Sequence, residues 1–247
     1  MSIVNKVLKT RYILGDILDD IEYDTSTISK VSEKEIKTMV SKNTDISQIE
    51  ALGSGGTCNF IVKHKILPSL SLNIIYVNIN DNLGTSKLTK SLKDKVTSLY
   101  ESGIVEENSS CLLIVDEEIT DTLYKTLDEI NIALREKELD MDNLEKEMKE
   151  NDYYVSRNSF RRCWILNINS ITINLKNHRL VSKHTPIKDE RRIQEILEKC
   201  NCKKFQLPLI SRNDIMSHYT LAVPGDIMEI IRTSKTTGSY PFYRLVK

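Results

Sequence analysis

Four side chains that can bind a transition metal lie within one short stretch near the end of the chain. They are His178, His184, Cys200 and Cys202. Zinc sites typically leave about two to four residues between paired cysteines, whereas a single residue separates Cys200 from Cys202. The spacing disfavours zinc, so the sequence predicts no metal and no other cofactor. The two histidines are expected to pack or to cap backbone groups locally.

The residues that other kinds of catalytic site require are also absent from the sequence. The glycine-rich residues 53–56 are not followed by the Lys-Ser/Thr that a phosphate-binding loop needs, which indicates a linker. A metal-dependent nuclease would need clustered carboxylates, yet residues 57–80, which read as a hairpin, contain no Asp or Glu. No local signature of a serine or cysteine triad is present. The sequence therefore predicts no catalytic residues.

Basic and aromatic residues are mixed within residues 153–164. The arginines are Arg157, Arg161 and Arg162, and the aromatic residues are Tyr153, Tyr154, Phe160 and Trp164. Such a mixture can form a nucleic-acid surface. It can equally be the junction between two domains, with Trp164 in a core. Because a single tryptophan is usually buried, we favour the junction.

The first 130 residues alternate between helical and strand periodicity. Helical spacing covers residues 5–22, 85–101 and 119–130, and a capping-box pattern at residues 32–35 starts a further helix. Strand patterns cover residues 57–66, 70–80 and 111–115, the last one fully apolar as in a buried central strand. This order predicts an α/β domain with helices on a mixed sheet.

The second half predicts a charged segment and then a small α+β module. Residues 135–152 read as one long solvated helix with a narrow apolar stripe at Met141, Leu144 and Met148. The stripe could dock a partner, but we favour a solvated face. Residues 164–175 read as one or two strands. From about residue 170 onward we expect a helix over residues 189–199, a helical turn capped by Asp214 and a closing hairpin around Thr236, Thr237 and Gly238.

Composition places limits on the partners. The chain has 247 residues, of which 40% are hydrophobic and 28% charged. From residue 176 onward 14 Lys and Arg oppose seven Asp and Glu, although the net charge of the whole chain is zero. This asymmetry fits a contact with nucleic acid or an acidic protein, and it equally fits a solvated basic face. Neither a secretory signal nor an apolar run of bilayer length is present, which predicts an intracellular protein without a membrane contact.

Ordered motifs in the last 70 residues resemble one family, the small subunit that the nuclear RNA polymerases of eukaryotes share as their fifth subunit, together with its counterpart in archaeal RNA polymerase. That family's C-terminal domain has a strand ending in His-x-Leu-Val-Pro-x-His, then Leu-Pro-x-Ile, Asp-Pro-x-x-x-Tyr, a glycine and a closing hairpin with a Ser-Glu-Thr-x-Gly turn and a Tyr-Arg strand. The matching residues here are His178, Leu180, Val181, His184, Leu207, Pro208, Ile210, Asp214, Tyr219, Gly225, Ile230, Ile231, Arg232, Ser234, Thr236, Gly238, Tyr243 and Arg244. The chain departs from the family at Ser182, Ile215, Leu221 (usually glycine) and Lys235 (usually glutamate).

The resemblance implies a non-catalytic subunit of a multisubunit DNA-directed RNA polymerase. Residues 1–168 would form a jaw-like domain near downstream DNA, with a charged insertion near residues 135–160. Residues 169–247 would form an assembly domain that docks on the largest subunit, and Arg232, Tyr243 and Arg244 are the candidates for its docking surface or core. A free-standing transcription-associated or DNA-binding adaptor is the alternative.

The source would determine the location of such a subunit. The abundance of Asn, Ile and Lys is typical of an AT-rich genome, and a large DNA virus with its own polymerase or a divergent protist would fit. The expected location is the nucleus for a cellular protein. For a viral protein it is the virion and a cytoplasmic virus factory.

Overall fold

The computed structural model describes residues 2–26, 28, 31–41, 58–77, 79, 88, 92–137, 139, 141–236 and 238–247. These residues belong to two compact units. The first consists of Met1–Asp140 and Phe160–Ile173, and the second of Met141–Ser159 and Asn174–Lys247. The borders of these units differ from the domain boundary that we expect between residues 168 and 169. Compact units are defined by contacts, whereas the expected boundary separates domains that fold independently, so that boundary stays a prediction.

The first unit is built around a four-stranded mixed sheet. Its helices are α1 (Ile3–Asp19), α2 (Glu33–Ser41), α3 (Leu92–Glu101) and α4 (Asp121–Glu136), and its strands are β1 (Phe60–Lys63), β2 (Ser71–Val77), β3 (Ser110–Val115) and β4 (Cys163–Asn167). The strand order is β1-β2-β3-β4, with β1 antiparallel to β2 and the other neighbours parallel. The predicted α/β class is confirmed.

Helices cover both faces of this sheet. Every residue of β2 and β3 is buried, as their continuous apolar runs predict. On one face, side chains of α3 and α4 pack against alternate strand residues such as Ile75 and Leu113. On the other, Arg11 of α1 donates a 2.6 Å hydrogen bond to the Cys58 carbonyl, and its guanidinium lies 4.3 Å from the centre of the Phe60 ring.

The predicted capping box starts α2. The Glu35 carboxylate accepts a 2.6 Å hydrogen bond from the Ser32 backbone N–H, and the Glu35 N–H donates to the Ser32 hydroxyl at 3.3 Å. The predicted linker at residues 53–56 lies outside the described residues. So do most of the residues before Leu92 in the helix expected over residues 85–101.

The prediction of one long solvated helix over residues 135–152 is wrong. Helix α4 is followed by Lys137, whose extended ψ of 141° ends the helical conformation, and a separate helix, α5 (Met141–Glu150), comes next. Leu144 and Met148 of α5 are 3% and 5% exposed. Their spacing of four residues places them on one helical face, and that face is packed.

The prediction of strand structure through residue 175 is also wrong. Strand β4 ends at Asn167, whose side-chain oxygen accepts a 2.7 Å hydrogen bond from the Asn169 N–H. This local hydrogen bond competes with strand pairing, and a 3₁₀ turn over Ile168–Ile171 follows. Ile168 and Ile171 are both fully buried. Their spacing of three residues is that of a 3₁₀ turn, so the apolar pattern in this stretch reflects a turn and not a strand.

The second unit contains α5 and a small sheet with helices on both faces. Its elements after α5 are β5 (Lys183–Ile187), α6 (Glu190–Lys199), β6 (Leu209–Ile210), α7 (Ile215–Tyr219), β7 (Ile227–Ser234) and β8 (Gly238–Val246). The strand order is β5-β7-β8-β6, antiparallel except for the pair β8 and β6. Ile193 and Ile196 of α6 pack on one face, and Ala222, just after α7, packs on the other. The predicted α+β module is confirmed.

No helix within the described ranges is both long and apolar enough to cross a bilayer.

Candidate functional site

The first motif, residues 178–184, leads into a strand and does not end one. His178 follows a 3₁₀ turn, and β5 begins only at Lys183, so the expectation of a strand ending in this motif is wrong. The carbonyl of His178 accepts a 2.9 Å hydrogen bond from the Val181 N–H, and its Nδ1 accepts one from the Leu180 N–H at 3.3 Å. These bonds form a tight turn that leaves the Leu180 side chain 77% exposed.

His184 lies on β5 and also bonds locally. Its Nδ1 is 2.7 Å from the carbonyl oxygen of Ser182, which assigns the proton to Nδ1. Both motif histidines therefore contact nearby backbone, as the sequence predicts. Cys200 caps α6 and is exposed. Within the described residues no group of three or more His, Cys, Asp or Glu side chains could hold a metal ion.

The Leu-Pro-x-Ile motif holds the end of the chain. Leu207 packs with the α6 side of the sheet and Ile210 with the opposite side. Between them, the Pro208 carbonyl accepts a 2.8 Å hydrogen bond from the Leu245 N–H, and the Ile210 carbonyl accepts one from the Lys247 N–H at 3.0 Å. This short strand thus fixes the last residues of β8.

Asp214 and Tyr219 bound α7. The Asp214 carboxylate accepts a 2.8 Å hydrogen bond from the Met216 N–H, which satisfies a free donor of the first turn. Tyr219 is 1% exposed. Burial raises the pKa of its hydroxyl to about 12, and a hydrogen bond with the Leu175 backbone opposes this shift. Tyr219 therefore ties α7 to the start of the module.

The glycines and the polar turn residues shape the hairpin. Gly225, just before β7, and Gly238, at the start of β8, have φ values of +103° and +71°, which residues with a Cβ rarely adopt. The Ser234 hydroxyl lies 3.0 Å from that of Thr236 and accepts from the Thr236 N–H at 3.3 Å. Thr237 lies outside the described residues.

The remaining motif residues lie on the two faces of the hairpin. Ile231 and Tyr243 share one face, where the Tyr243 hydroxyl donates to Glu229 at 3.3 Å. Partial burial and the Glu229 charge raise the pKa of Tyr243. Arg232 and Arg244 lie on the other face, both beside the ring of Phe242.

The motif residues therefore fall into two groups: some stabilise the fold, and others lie on the surface. Leu207, Ile210 and Tyr219 are core residues, and the glycines and Asp214 shape turns. Arg232 and Arg244 form a partly exposed group. The sequence motifs did not point to Phe242, the residue that joins them. The alternation of β8 around a turn at Gly238 could have identified it, because residues 240, 242 and 244 must share a face.

The basic and aromatic stretch at residues 153–164 is largely buried. Arg161 and Arg162 are 5% and 7% exposed, and Trp164 is 4% exposed. The Arg161 Nε donates to the carbonyl of Glu107. These two arginines therefore do not present their charge to a nucleic acid, and Trp164 is a core residue as expected.

Comparison with known proteins matches the C-terminal part of the chain, from residue 173 onward. A family model described as the C-terminal domain of RNA polymerase Rpb5 matches residues 173–246. The Rpo5 subunit of RNA polymerase from Archaeoglobus fulgidus is 42% identical over 72 residues, which are 29% of this chain and 93% of that subunit. The Rpo5 subunit from Thermococcus kodakarensis is 40% identical over 73 residues, 30% of this chain and 88% of that subunit.

A eukaryotic relative matches over a smaller share of its length. Subunit rpabc1 of RNA polymerases I, II and III from Dictyostelium discoideum is 36% identical over 75 residues. These residues are 30% of this chain and 38% of that subunit. The similarity therefore covers the small module and nearly all of the archaeal subunits.

Proposed function

The chain belongs to the Rpb5/Rpo5 family of RNA polymerase subunits, and on this premise we propose that it is a non-catalytic subunit of a multisubunit DNA-directed RNA polymerase. The observation that carries the proposal is the 93% coverage of the Archaeoglobus subunit. The module alone corresponds to nearly the whole of a protein that bears a polymerase subunit's name. Such a subunit acts in the nucleus if the protein is cellular, and in the virion and the cytoplasmic virus factory if it belongs to a large DNA virus.

The C-terminal module is the part that docks on the largest polymerase subunit. The hairpin of β7 and β8 supports this assignment, because its outer half carries partly exposed apolar and basic side chains. Tyr240 is 41% exposed and Leu209, on the neighbouring strand, is 49% exposed. A module of about 70 residues buries a limited core, so a partner surface would add to its stability.

The first unit acts as a jaw near downstream DNA. The support for this role is the order of elements: a helix, a hairpin, a helix and a buried strand. Any contact with DNA would involve phosphates and would not depend on sequence.

Affinity purification of the tagged full chain from its natural source tests the polymerase assignment. We expect the two largest polymerase subunits to be recovered in equal amounts with the chain. Recovery of the chain with other DNA-bound proteins, and without these two subunits, would support the free-standing adaptor instead. An unrelated tagged protein of similar charge is the control for nonspecific recovery.

The non-catalytic assignment has its own test. The purified chain should not cleave DNA in the presence of Mg²⁺ or Mn²⁺. Cleavage that co-purifies with the chain and disappears on chelation would contradict the assignment.

A further inference from the structure

One face of the β7–β8 hairpin carries two arginines and two aromatic residues side by side. In the strand register, Arg232 pairs with Tyr240, Ile230 with Phe242 and Met228 with Arg244. Because paired residues and every second residue share a face, the side chains of Arg232, Tyr240, Phe242 and Arg244 lie together. We call these four residues the guanidinium–phenyl patch.

The patch holds its two positive charges on a ring. The guanidinium carbons of Arg232 and Arg244 lie 4.4 Å and 5.4 Å from the centre of the Phe242 ring. Arg244 also donates a 2.9 Å hydrogen bond to the Leu209 carbonyl. Cation–π contacts of this length orient a guanidinium without neutralising its charge. Both arginines are therefore positioned before any partner arrives.

The patch lacks a counter-ion within the described part of the chain. No carboxylate there forms an ion pair with Arg232 or Arg244. Glu229, the acidic residue of the hairpin, lies on the opposite face, where it contacts the Tyr243 hydroxyl at 3.3 Å and Arg192 at 3.8 Å. The two charges are thus available to an external carboxylate.

The hairpin edge indicates recognition through side chains. The N–H groups of Leu245 and Lys247 point towards β6, where they bond to the carbonyls of Pro208 and Ile210. Because successive N–H groups of a strand point to opposite edges, the odd-numbered residues of β8 point their N–H groups away from β7, towards the edge that β6 covers only near residue 245. Pro241 occupies one of these positions and has no N–H to donate, which disfavours addition of a partner strand.

We propose that the guanidinium–phenyl patch binds an acidic segment of the polymerase subunit on which the module docks. A carboxylate of this segment would accept hydrogen bonds from Arg232 and Arg244, and an adjacent apolar group would cover Phe242 and Tyr240. Planar guanidinium groups suit this pairing because they can donate two parallel hydrogen bonds. The proposal rests on the proposed function, since it names the chemistry of that docking site.

An acidic polypeptide fits better than a nucleic acid. Nucleic-acid surfaces use many exposed Lys and Arg side chains along a groove or strip. Here the two arginines are half-buried against one ring, and Tyr240 is beside them. A compact site with two fixed donors and an apolar floor matches a carboxylate with a neighbouring apolar side chain.

Cross-linking in the assembled polymerase tests the chemistry of the contact. In the full-length variants Arg232→Lys and Arg244→Lys, a carbodiimide should link the new amine to an Asp or Glu of another subunit, which peptide mass spectrometry would identify. Arg191→Lys, on α6 at the opposite face, is the matched control. Because Arg191 lies 2.8 Å from Asp152, this control should link to Asp152 and to no other subunit.

Affinity measurements test the energetic role. The full chain is bound to polymerase that lacks it, and we expect Arg232→Gln, alone or with Arg244→Gln, to raise Kd by about tenfold or more. Arg191→Gln should change Kd by no more than about twofold, because its ion pair is exposed. Thermal unfolding of each variant verifies that it is folded.

Distinct outcomes separate the two proposals. If the unmodified chain binds polymerase but Arg232→Gln and the double variant bind equally well, the inference about the patch is wrong and the proposed function stands. The inference is also wrong if nuclease treatment abolishes the effect of the variants, because the patch would then contact nucleic acid. If the unmodified chain does not bind polymerase at all, the proposed function itself fails.

Discussion

Leu221 has a backbone conformation that favours glycine. Its φ is +47°, yet its side chain is 3% exposed. The left-handed conformation costs about 1–2 kcal/mol for a residue with a Cβ, while burial of a leucine contributes about 2–5 kcal/mol. The chain thus keeps a strained residue where the family usually has glycine, because the buried side chain contributes more than the strain costs.

A pair of glycine substitutions tests this balance. Leu221→Gly should lower the free energy of unfolding by about 2 kcal/mol, since the lost burial exceeds the relieved strain. Asn201 has nearly the same φ, +46°, but is exposed. Asn201→Gly should therefore change stability by no more than about 0.5 kcal/mol. Urea unfolding measures both, and a more stable Leu221→Gly variant would contradict the account.

The buried hydroxyl of Tyr219 predicts a pH dependence. Because the folded pKa of about 12 lies above the ordinary value of about 10, the unfolded state loses this proton first as the pH rises. Stability should therefore fall between about pH 10 and pH 12. Tyr219→Phe should be about 1 kcal/mol less stable near pH 8, where it lacks the hydrogen bond with Leu175. Above pH 10 the difference between the two proteins should narrow, and parallel pH profiles from urea unfolding would contradict this prediction.

Helix α5 illustrates what periodicity alone leaves open. Its apolar positions were visible as a narrow stripe in a charged segment, and a stripe of this kind fits both a solvated and a packed helix. Sequence could not distinguish them, because periodicity shows which residues share a helical face and not whether that face is covered. Nor did the pattern reveal the break at Lys137, because the residues around it are good helix formers.

Substitutions in α5 test whether its apolar face contributes to stability. Leu144→Ala should lower the free energy of unfolding by about 2–4 kcal/mol, because it leaves a cavity at a buried position. Lys146→Ala, on the exposed side of the same helix, should change it by less than about 0.5 kcal/mol. If the two substitutions had equal effects in thermal or urea unfolding, the interpretation of α5 as a packed helix would be wrong.

Charge is unevenly distributed over the whole molecule. The seven-charge excess of Lys and Arg from residue 176 onward is balanced by acidic residues earlier in the chain. Two of the arginines outside this region, Arg161 and Arg162, are buried. A chain with zero net charge and a modestly basic C-terminal part should attract DNA only weakly.

Fluorescence anisotropy with duplex DNA measures this whole-chain property. We expect a Kd in the range of about 1–100 μM at 0.15 M salt, with binding that weakens as salt rises and is the same for two unrelated sequences. Arg232→Gln should alter DNA binding no more than Lys235→Gln, since each removes one charge. Tight binding that depends on sequence would favour the adaptor over the polymerase subunit.

The sequence by itself determined most element types, the α/β and α+β classes and the family resemblance. These depend on local patterns: the apolar runs of β2 and β3, the capping box at Ser32 and the glycine of the hairpin turn at Gly238. Only the tertiary structure decided that α5 is packed, that Arg161 and Arg162 are buried, and that Arg232 and Arg244 meet on Phe242. The physical reason is that burial and side-chain contacts depend on residues far apart in the chain, whereas turns, caps and strand periodicity depend on immediate neighbours.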